Sequence, residues 1–150
     1  MFTTPVHWVA GIEPHRIGLT PRPRGGDQLS DEVDAWRQAG VDVVVSLLEV
    51  HEARDLELTD EAAACARRAI AFRSLPIPDR GTPGSRKDFV ALVDELDRDL
   101  RAGRALLIHC RAGIGRTALK AVRKAGRVPG VLYGKDKAAG VRSRPIEIEA

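Results

Sequence analysis

Two short, nearly continuous apolar runs constrain the fold of this chain more than any other feature. Residues 41–48 read Val-Asp-Val-Val-Val-Ser-Leu-Leu, and residues 104–109 read Arg-Ala-Leu-Leu-Ile-His. Runs of this length, without a polar–apolar alternation, are typical of parallel strands that are covered on both faces. A weaker strand pattern covers residues 70–77 and ends at prolines, while residues 7–10 and 16–19 are candidates for short edge strands. The sequence therefore predicts a sheet with at least two buried central strands.

Helical patterns lie between these runs. The clearest covers residues 85–102, where Ser85 and Asp88 form a capping-box pattern and an apolar stripe follows. Ser30 and Thr59 are candidate N-caps of two shorter helices. Strands and helices that alternate through short connections predict an α/β fold, with a mostly parallel central sheet flanked by helices. Ligands bind such sheets at the carboxyl ends of the strands, so the residues after the run at 104–109 are the first place to look for a site.

The segment at residues 109–117 reads His-Cys-Arg-Ala-Gly-Ile-Gly-Arg-Thr and has the features of a phosphate-binding loop. Gly113 and Gly115 permit backbone N–H groups to converge on an anion, which would also lie at the positive end of a following helix. Arg116 can hold two phosphate oxygens in bidentate fashion, and Cys110 is expected beneath the phosphorus. The predicted phosphate-binding residues are Arg111, Ala112, Gly113, Ile114, Gly115 and Arg116.

Cys110 in such a loop is suited to nucleophilic catalysis. A helix N-terminus and converging N–H groups can lower a thiol pKa from about 8.5 to about 3.5–7.5, so we expect a thiolate at neutral pH. Attack on phosphorus would give a phosphocysteine, and a carboxylic acid must then protonate the leaving group and activate water. Asp79, in a proline-stiffened loop, is the candidate acid, and Thr117 could hydrogen-bond the sulfur. His109 is expected to order the loop through buried hydrogen bonds rather than to act as a base.

These residues carry a family resemblance. The pattern His-Cys-x-x-Gly-x-x-Arg-Thr at 109–117 resembles the signature of the protein tyrosine and dual-specificity phosphatase superfamily, and the segments at 76–81 and 23–26 resemble its small bacterial members. The resemblance covers about residues 6–120. It implies a tyrosine-phosphatase-like fold, a thiolate nucleophile at Cys110 and a general acid at Asp79.

The chain departs from that family after Thr117, where the usual apolar helices that cover one face of the sheet are truncated or replaced. Residues 120–144 carry eight lysines and arginines against Asp136. We predict a phosphatase domain at residues 1–126 and a basic, atypical tail at residues 127–150. About residues 117–140 are weakly similar to a ribosomal protein segment that binds 5S RNA, and such a tail could contact RNA phosphates weakly and without sequence specificity.

Other features of the sequence bear on the location of the protein, its cysteines and its need for a cofactor. No run approaches the roughly 20 apolar residues of a membrane span, and the N-terminus lacks the pattern of a signal peptide, so a cytoplasmic location is expected. The cysteines are Cys65 and Cys110, and we interpret Cys65 as a packing residue rather than one half of a regulatory disulfide. Trp8 and Trp36 are interpreted as core residues. The histidines lack metal-ligand spacing, and neither a metal nor another cofactor is expected.

The sequence thus favours a hydrolase that acts on phosphotyrosine or dual-specificity protein substrates, or on a small phosphate monoester. Two alternatives stay open. One is a chimeric binding protein with weak catalysis that contacts phosphate or RNA. The other is hydrolysis of nucleotide, sugar or lipid phosphates, although the loop lacks the extra lysines expected for a polyanionic lipid headgroup.

Overall fold

The computed structural model describes residues 3–78 and 84–111, which form five strands and four α-helices. The chain begins with β1 (His7–Trp8) and β2 (Arg16–Thr20), followed by a short 3-10 turn (Gly26–Gln28) and α1 (Leu29–Gln38). It continues through β3 (Val43–Ser46), α2 (Val50–Asp55), α3 (Glu61–Ala66), β4 (Ala71–Ser74), α4 (Arg86–Arg101) and β5 (Ala105–His109). The α/β alternation predicted from the sequence is confirmed.

The five strands form one sheet in the order β1-β2-β5-β3-β4. Among the described strands, β2, β5, β3 and β4 run parallel to one another, and β1 pairs antiparallel with β2. Among the strands of residues 3–78 and 84–111, β5 comes last in sequence, yet it lies in the middle of the sheet. Its final residue, His109, is in register with Thr20 of β2 and with Ser46 of β3, so three strands end side by side.

Both faces of the sheet are covered, as the apolar runs predicted. Successive side chains of β5 alternate between two buried clusters because a strand projects them to opposite faces. Leu106 belongs to the cluster beneath α4, which we call the α4-side cluster, and Leu107 to the cluster beneath α1 and α3, which we call the α1-side cluster. The central strands thus contribute to two cores, and the full burial of both leucines follows from that position.

The predicted apolar stripe forms the underside of α4. Ser85 is its N-cap, and its hydroxyl accepts a hydrogen bond from the Asp88 backbone N–H at 3.1 Å. The helix ends before Gly103, which has a positive φ of 84° that glycine adopts at little cost. The stripe residues are all buried against the sheet: Phe89, Leu92, Val93, Leu96 and Leu100.

The two other predicted N-caps were wrong. Helix α1 begins at Leu29, one residue before Ser30, whose hydroxyl instead accepts a hydrogen bond from Arg68 at 2.9 Å. Helix α3 has Asp60 at its N-cap position, and Thr59 lies one residue outside. Helix α2 was not predicted at all, because it has six residues and its capping box joins two glutamates, Glu49 and Glu52, rather than a serine or threonine with a glutamate.

Candidate active site

The candidate site is built where β2, β5 and β3 end together. Beyond the last residues of these strands, the Leu47 backbone N–H still donates to the His109 carbonyl at 3.0 Å. Cys110 is thereby held at the carboxyl edge of the central strand, with 7% of its surface exposed. This is the position at which an α/β sheet binds its ligands, and the strand brings the predicted nucleophile there directly.

The two cysteines have different environments. Cys110 belongs to the α4-side cluster and Cys65 to the α1-side cluster, so they lie on opposite faces of the sheet. Burial, with a smaller contribution from the negative charge of Glu61, raises the pKa of Cys65 to about 12. The Cys65 thiol is free. Cys65 is therefore an inert packing residue, as the sequence suggested.

His109 is completely buried and is held by two groups on the α1 side of the sheet. Its Nε2 lies 2.6 Å from Oε2 of Glu61, the first residue of α3, and both side chains are buried. Its ring stacks against Trp36 of α1, with 6.3 Å between ring centroids and 28° between the planes. These contacts fix the residue that immediately precedes Cys110, while the role of His109 in ordering the loop stays a prediction.

Arg111, the residue after Cys110, is anchored by a carboxylate. Its Nη1 lies 3.3 Å from Oε2 of Glu52, whose side chain is 5% exposed and whose other oxygen accepts from the Glu49 N–H at 3.0 Å. In addition, Nη1 of Arg22 donates to the Arg111 carbonyl at 3.4 Å. Arg111, the first residue after Cys110, is therefore held by both α2 and the segment that follows β2.

The other predicted site residues lie outside the described part of the chain. They are the general-acid candidate Asp79, the remaining phosphate-loop residues Ala112, Gly113, Ile114, Gly115 and Arg116, and Thr117. The predicted tail at residues 127–150 lies outside it as well. Among the residues that the structure brings together, Cys110, His109 and Arg111 are the ones that the sequence had assigned to the site.

Three supporting residues were not found from the sequence: Glu61, Glu52 and Arg22. A glutamate in the first turn of an alanine-rich helix is usually interpreted as a solvated charge that interacts favourably with the positive end of the helix dipole. The sequence around Glu61 therefore gave no indication that its side chain is buried. Glu52 gave none either, because the helix that carries it was not recognised. Arg22 stands between two prolines, and this loop pattern could have suggested a fixed position near the strand ends.

Within residues 3–78 and 84–111, no three side chains of histidine, cysteine, aspartate or glutamate are grouped so that they could hold a metal ion. In the same part of the chain, no helix has the length and apolar character needed to cross a membrane.

Comparison with known proteins gives a family match over most of the chain. A family model described as "Polymorphic toxin system, DSP-PTPase phosphatase" matches residues 18–122. Tyrosine-protein phosphatase 1 of Caenorhabditis elegans is 35% identical over 68 residues, which are 44% of this chain. The matched stretch spans only 6% of the length of that relative.

Solved structures show the same fold. Kinase associated phosphatase, solved with its catalytic-site cysteine replaced by serine, has a TM-score of 0.71 at 18% identity, covering 83% of this chain and 76% of that one. Tk-PTP has a TM-score of 0.53 at 23% identity, covering 84% and 91% of the two chains. The tyrosine-phosphatase-like architecture predicted from the sequence is therefore confirmed.

A second family model, that of the ribosomal L25p family, matches residues 106–150. It agrees with the weak similarity seen in the tail and overlaps the first match at residues 106–122. The match covers less than a third of the chain and gives no support to RNA contact.

Proposed function

The chain belongs to the DSP-PTPase phosphatase family of polymorphic toxin systems, and we propose that it hydrolyses phosphate monoesters through a phosphocysteine on Cys110. The observation that carries the proposal is the position of Cys110, directly after the central strand and at the carboxyl edge of the sheet. The substrate class is a protein phosphorylated on tyrosine, or on tyrosine and on serine or threonine.

The first step is nucleophilic attack. The Cys110 thiolate forms a bond to phosphorus while the bond from phosphorus to the leaving oxygen breaks, and the leaving oxygen takes a proton from Asp79. The amides of residues 111–116 and the Arg116 guanidinium bind the phosphoryl oxygens throughout. In the second step a water molecule gives its proton to Asp79 and attacks phosphorus. The sulfur then leaves as a thiolate, which a hydrogen bond from Thr117 stabilises.

The course of the chain after β4 supports Asp79 as the acid. The Leu75 N–H donates to the Ser46 carbonyl, and the Ile77 N–H donates to the Leu47 carbonyl at 3.1 Å, so this segment follows the end of β3 along the carboxyl edge. Ile77 also packs in the same buried cluster as Cys110. Asp79 comes two residues later, and we propose that it reaches the bound phosphate from there.

A thiolate nucleophile also bears on where the protein acts. Such a group stays reduced in compartments kept reducing by thiol systems, and we propose that the enzyme acts in the cytoplasm. We also propose that residues 1–126 form the phosphatase domain and that residues 127–150 form a basic tail.

The test is turnover of p-nitrophenyl phosphate by the Cys110→Ser variant. We expect no turnover but retained binding of tungstate, an analogue of phosphate, because a hydroxyl is far less nucleophilic than a thiolate while the anion-binding loop is unchanged. Cys65→Ser is the matched control: it makes the same chemical change at a buried cysteine on the other face of the sheet, and activity per folded molecule should persist. Retained turnover by Cys110→Ser would exclude the mechanism.

A second variant tests the acid. Asp79→Asn should lower kcat by about 10²–10⁴, with a smaller loss on an aryl phosphate, whose leaving group needs less protonation, than on an alkyl phosphate. Absence of turnover by the wild-type protein, together with tungstate binding, would instead favour the alternative of a phosphate-binding module.

A further inference from the structure

The contact between His109 and Glu61 places an ionisable pair in the interior, next to the proposed nucleophile. The His109 side chain is 0% exposed and that of Glu61 is 3% exposed, and the two are joined at 2.6 Å. Removing two such groups from water has a large desolvation cost, and well-packed apolar side chains would often be at least as stabilising. The pair is therefore poorly explained by stability alone.

The geometry of the pair fixes the imidazole. The carboxylate of Glu61 can only accept at its oxygen, so it selects the form of His109 that carries a proton on Nε2. Stacking on Trp36 restricts rotation of the ring. The other ring nitrogen, Nδ1, is buried, and none of the described residues provides it with a hydrogen-bond partner. Among the described residues, Glu61 and Trp36 are therefore the groups that hold the ring in place.

We propose that Glu61 is a positioning residue for the reaction: it holds His109, and His109 fixes the position of Cys110, the next residue in the chain. This inference rests on the proposed function, because it assigns a role within the same site. The chain of contacts is short: Glu61 lies at the start of α3, His109 at the end of β5, and Cys110 is the next residue. A carboxylate on the α1 side of the sheet thereby acts on a sulfur on the α4 side.

Asp99 provides a matched control. It is a buried carboxylate, 4% exposed, near the end of α4, and it binds Arg73 and Arg104 at 2.9 Å each. Arg104 directly precedes β5, so Asp99 lies at the amino edge of the sheet, opposite Cys110. Asp99→Ala should lower the melting temperature while leaving kcat for each folded molecule unchanged.

The experiment measures kcat, KM and melting temperature for Glu61→Ala, Glu61→Gln and Asp99→Ala, together with the rate at which iodoacetamide modifies Cys110 at pH 6. We expect Glu61→Ala to lower kcat about tenfold or more, on the scale of one hydrogen bond to a charged group, and to slow alkylation similarly. Glu61→Gln should restore most of both rates, because its amide oxygen still accepts from Nε2. KM should change less than kcat.

Different failures remain distinguishable. If wild-type protein does not hydrolyse phosphate monoesters, the proposed function fails, but the alkylation rates still test the role of Glu61. If both Glu61 variants lose thermal stability but keep wild-type kcat and alkylation rates, or if Glu61→Gln is as impaired as Glu61→Ala, the inference is overturned. If neither Glu61 variant folds, the inference is tested by nitrogen NMR of wild-type protein with labelled histidine. We expect Nε2 of His109 to carry a proton, and an unprotonated Nε2 would contradict the proposed role of Glu61.

Discussion

Replacing Leu106 and Leu107 separately by alanine tests whether β5 is buried on both faces, which is the basis of the whole site. Leu106 is 1% exposed in the α4-side cluster, and Leu107 is 0% exposed in the α1-side cluster. Each substitution removes a completely buried side chain and leaves a cavity, which for leucine costs about 2–5 kcal/mol. We expect each variant to lose about 3–4 kcal/mol of unfolding free energy, because the two positions are equally central.

The assay is equilibrium unfolding in urea, followed by the fluorescence of Trp36, which is buried in the α1-side cluster. The midpoint should fall while the slope with urea stays constant, since the surface exposed on unfolding is nearly unchanged. Val50→Ala is the control: this apolar residue is 69% exposed, so its loss should change stability by no more than about 0.5 kcal/mol. A loss below about 1 kcal/mol for either leucine would refute the two-sided burial of β5.

Three further predictions concern other parts of the fold. A Cβ on Gly25 would lie 2.1 Å from the Leu56 carbonyl oxygen, so Gly25→Ala should lower the unfolding free energy in urea by about 2–3 kcal/mol. Gly84→Ala is the control, because no atom lies within 4 Å of the added carbon, and it should change stability very little. Equal effects of the two substitutions would contradict the packing around Gly25. Burial tends to raise the pKa of Glu32, but hydrogen bonds from Thr4 and Arg24 outweigh it and lower the pKa below 4.5. The Glu32 carboxylate therefore contributes stability above pH 4.5, and this stability is lost as the pH falls through the lower folded-state pKa. The difference in unfolding free energy between wild type and Glu32→Gln should narrow below pH 4.5. A constant difference from pH 7 to pH 3 would contradict the lowered pKa of Glu32. Burial raises the pKa of Cys65 to about 12, so iodoacetamide at pH 7.5 should modify native protein at Cys110 and should modify Cys65 only after urea is added. Peptide mass spectrometry measures the modification at each cysteine. Equal modification of both cysteines in native protein would be inconsistent with the structure.

The sheet could be predicted because its signals are local. The apolar runs of β3 and β5 and the apolar stripe of α4 each indicate burial from a short stretch of sequence. The alternation of strands and helices along the chain implies parallel pairing. The prediction of a phosphate-binding loop at residues 109–117 could likewise be made because its residues are contiguous in sequence. These features therefore identified the central strand and the place of Cys110.

The supporting contacts could not be predicted, because they join residues distant in sequence. Glu61 and His109 are 48 positions apart, and Glu52 and Arg111 are 59 apart. A carboxylate on a short helix reads as solvated unless its partner is known. The interpretation of Trp8 as a core residue was wrong for a related reason. Trp8 is 37% exposed, and the Arg16 guanidinium carbon lies 4.2 Å from the centre of its ring. Edge-strand residues such as Trp8 carry no local signal of which face is covered.

The proposal that Cys110 is the nucleophile is tested most directly by mass spectrometry of protein quenched with acid during turnover of p-nitrophenyl phosphate. We predict one phosphoryl group, carried on the peptide that contains Cys110 and absent from Cys110→Ser. A phosphoryl group on any other residue, or continued turnover by Cys110→Ser, would contradict a phosphocysteine intermediate.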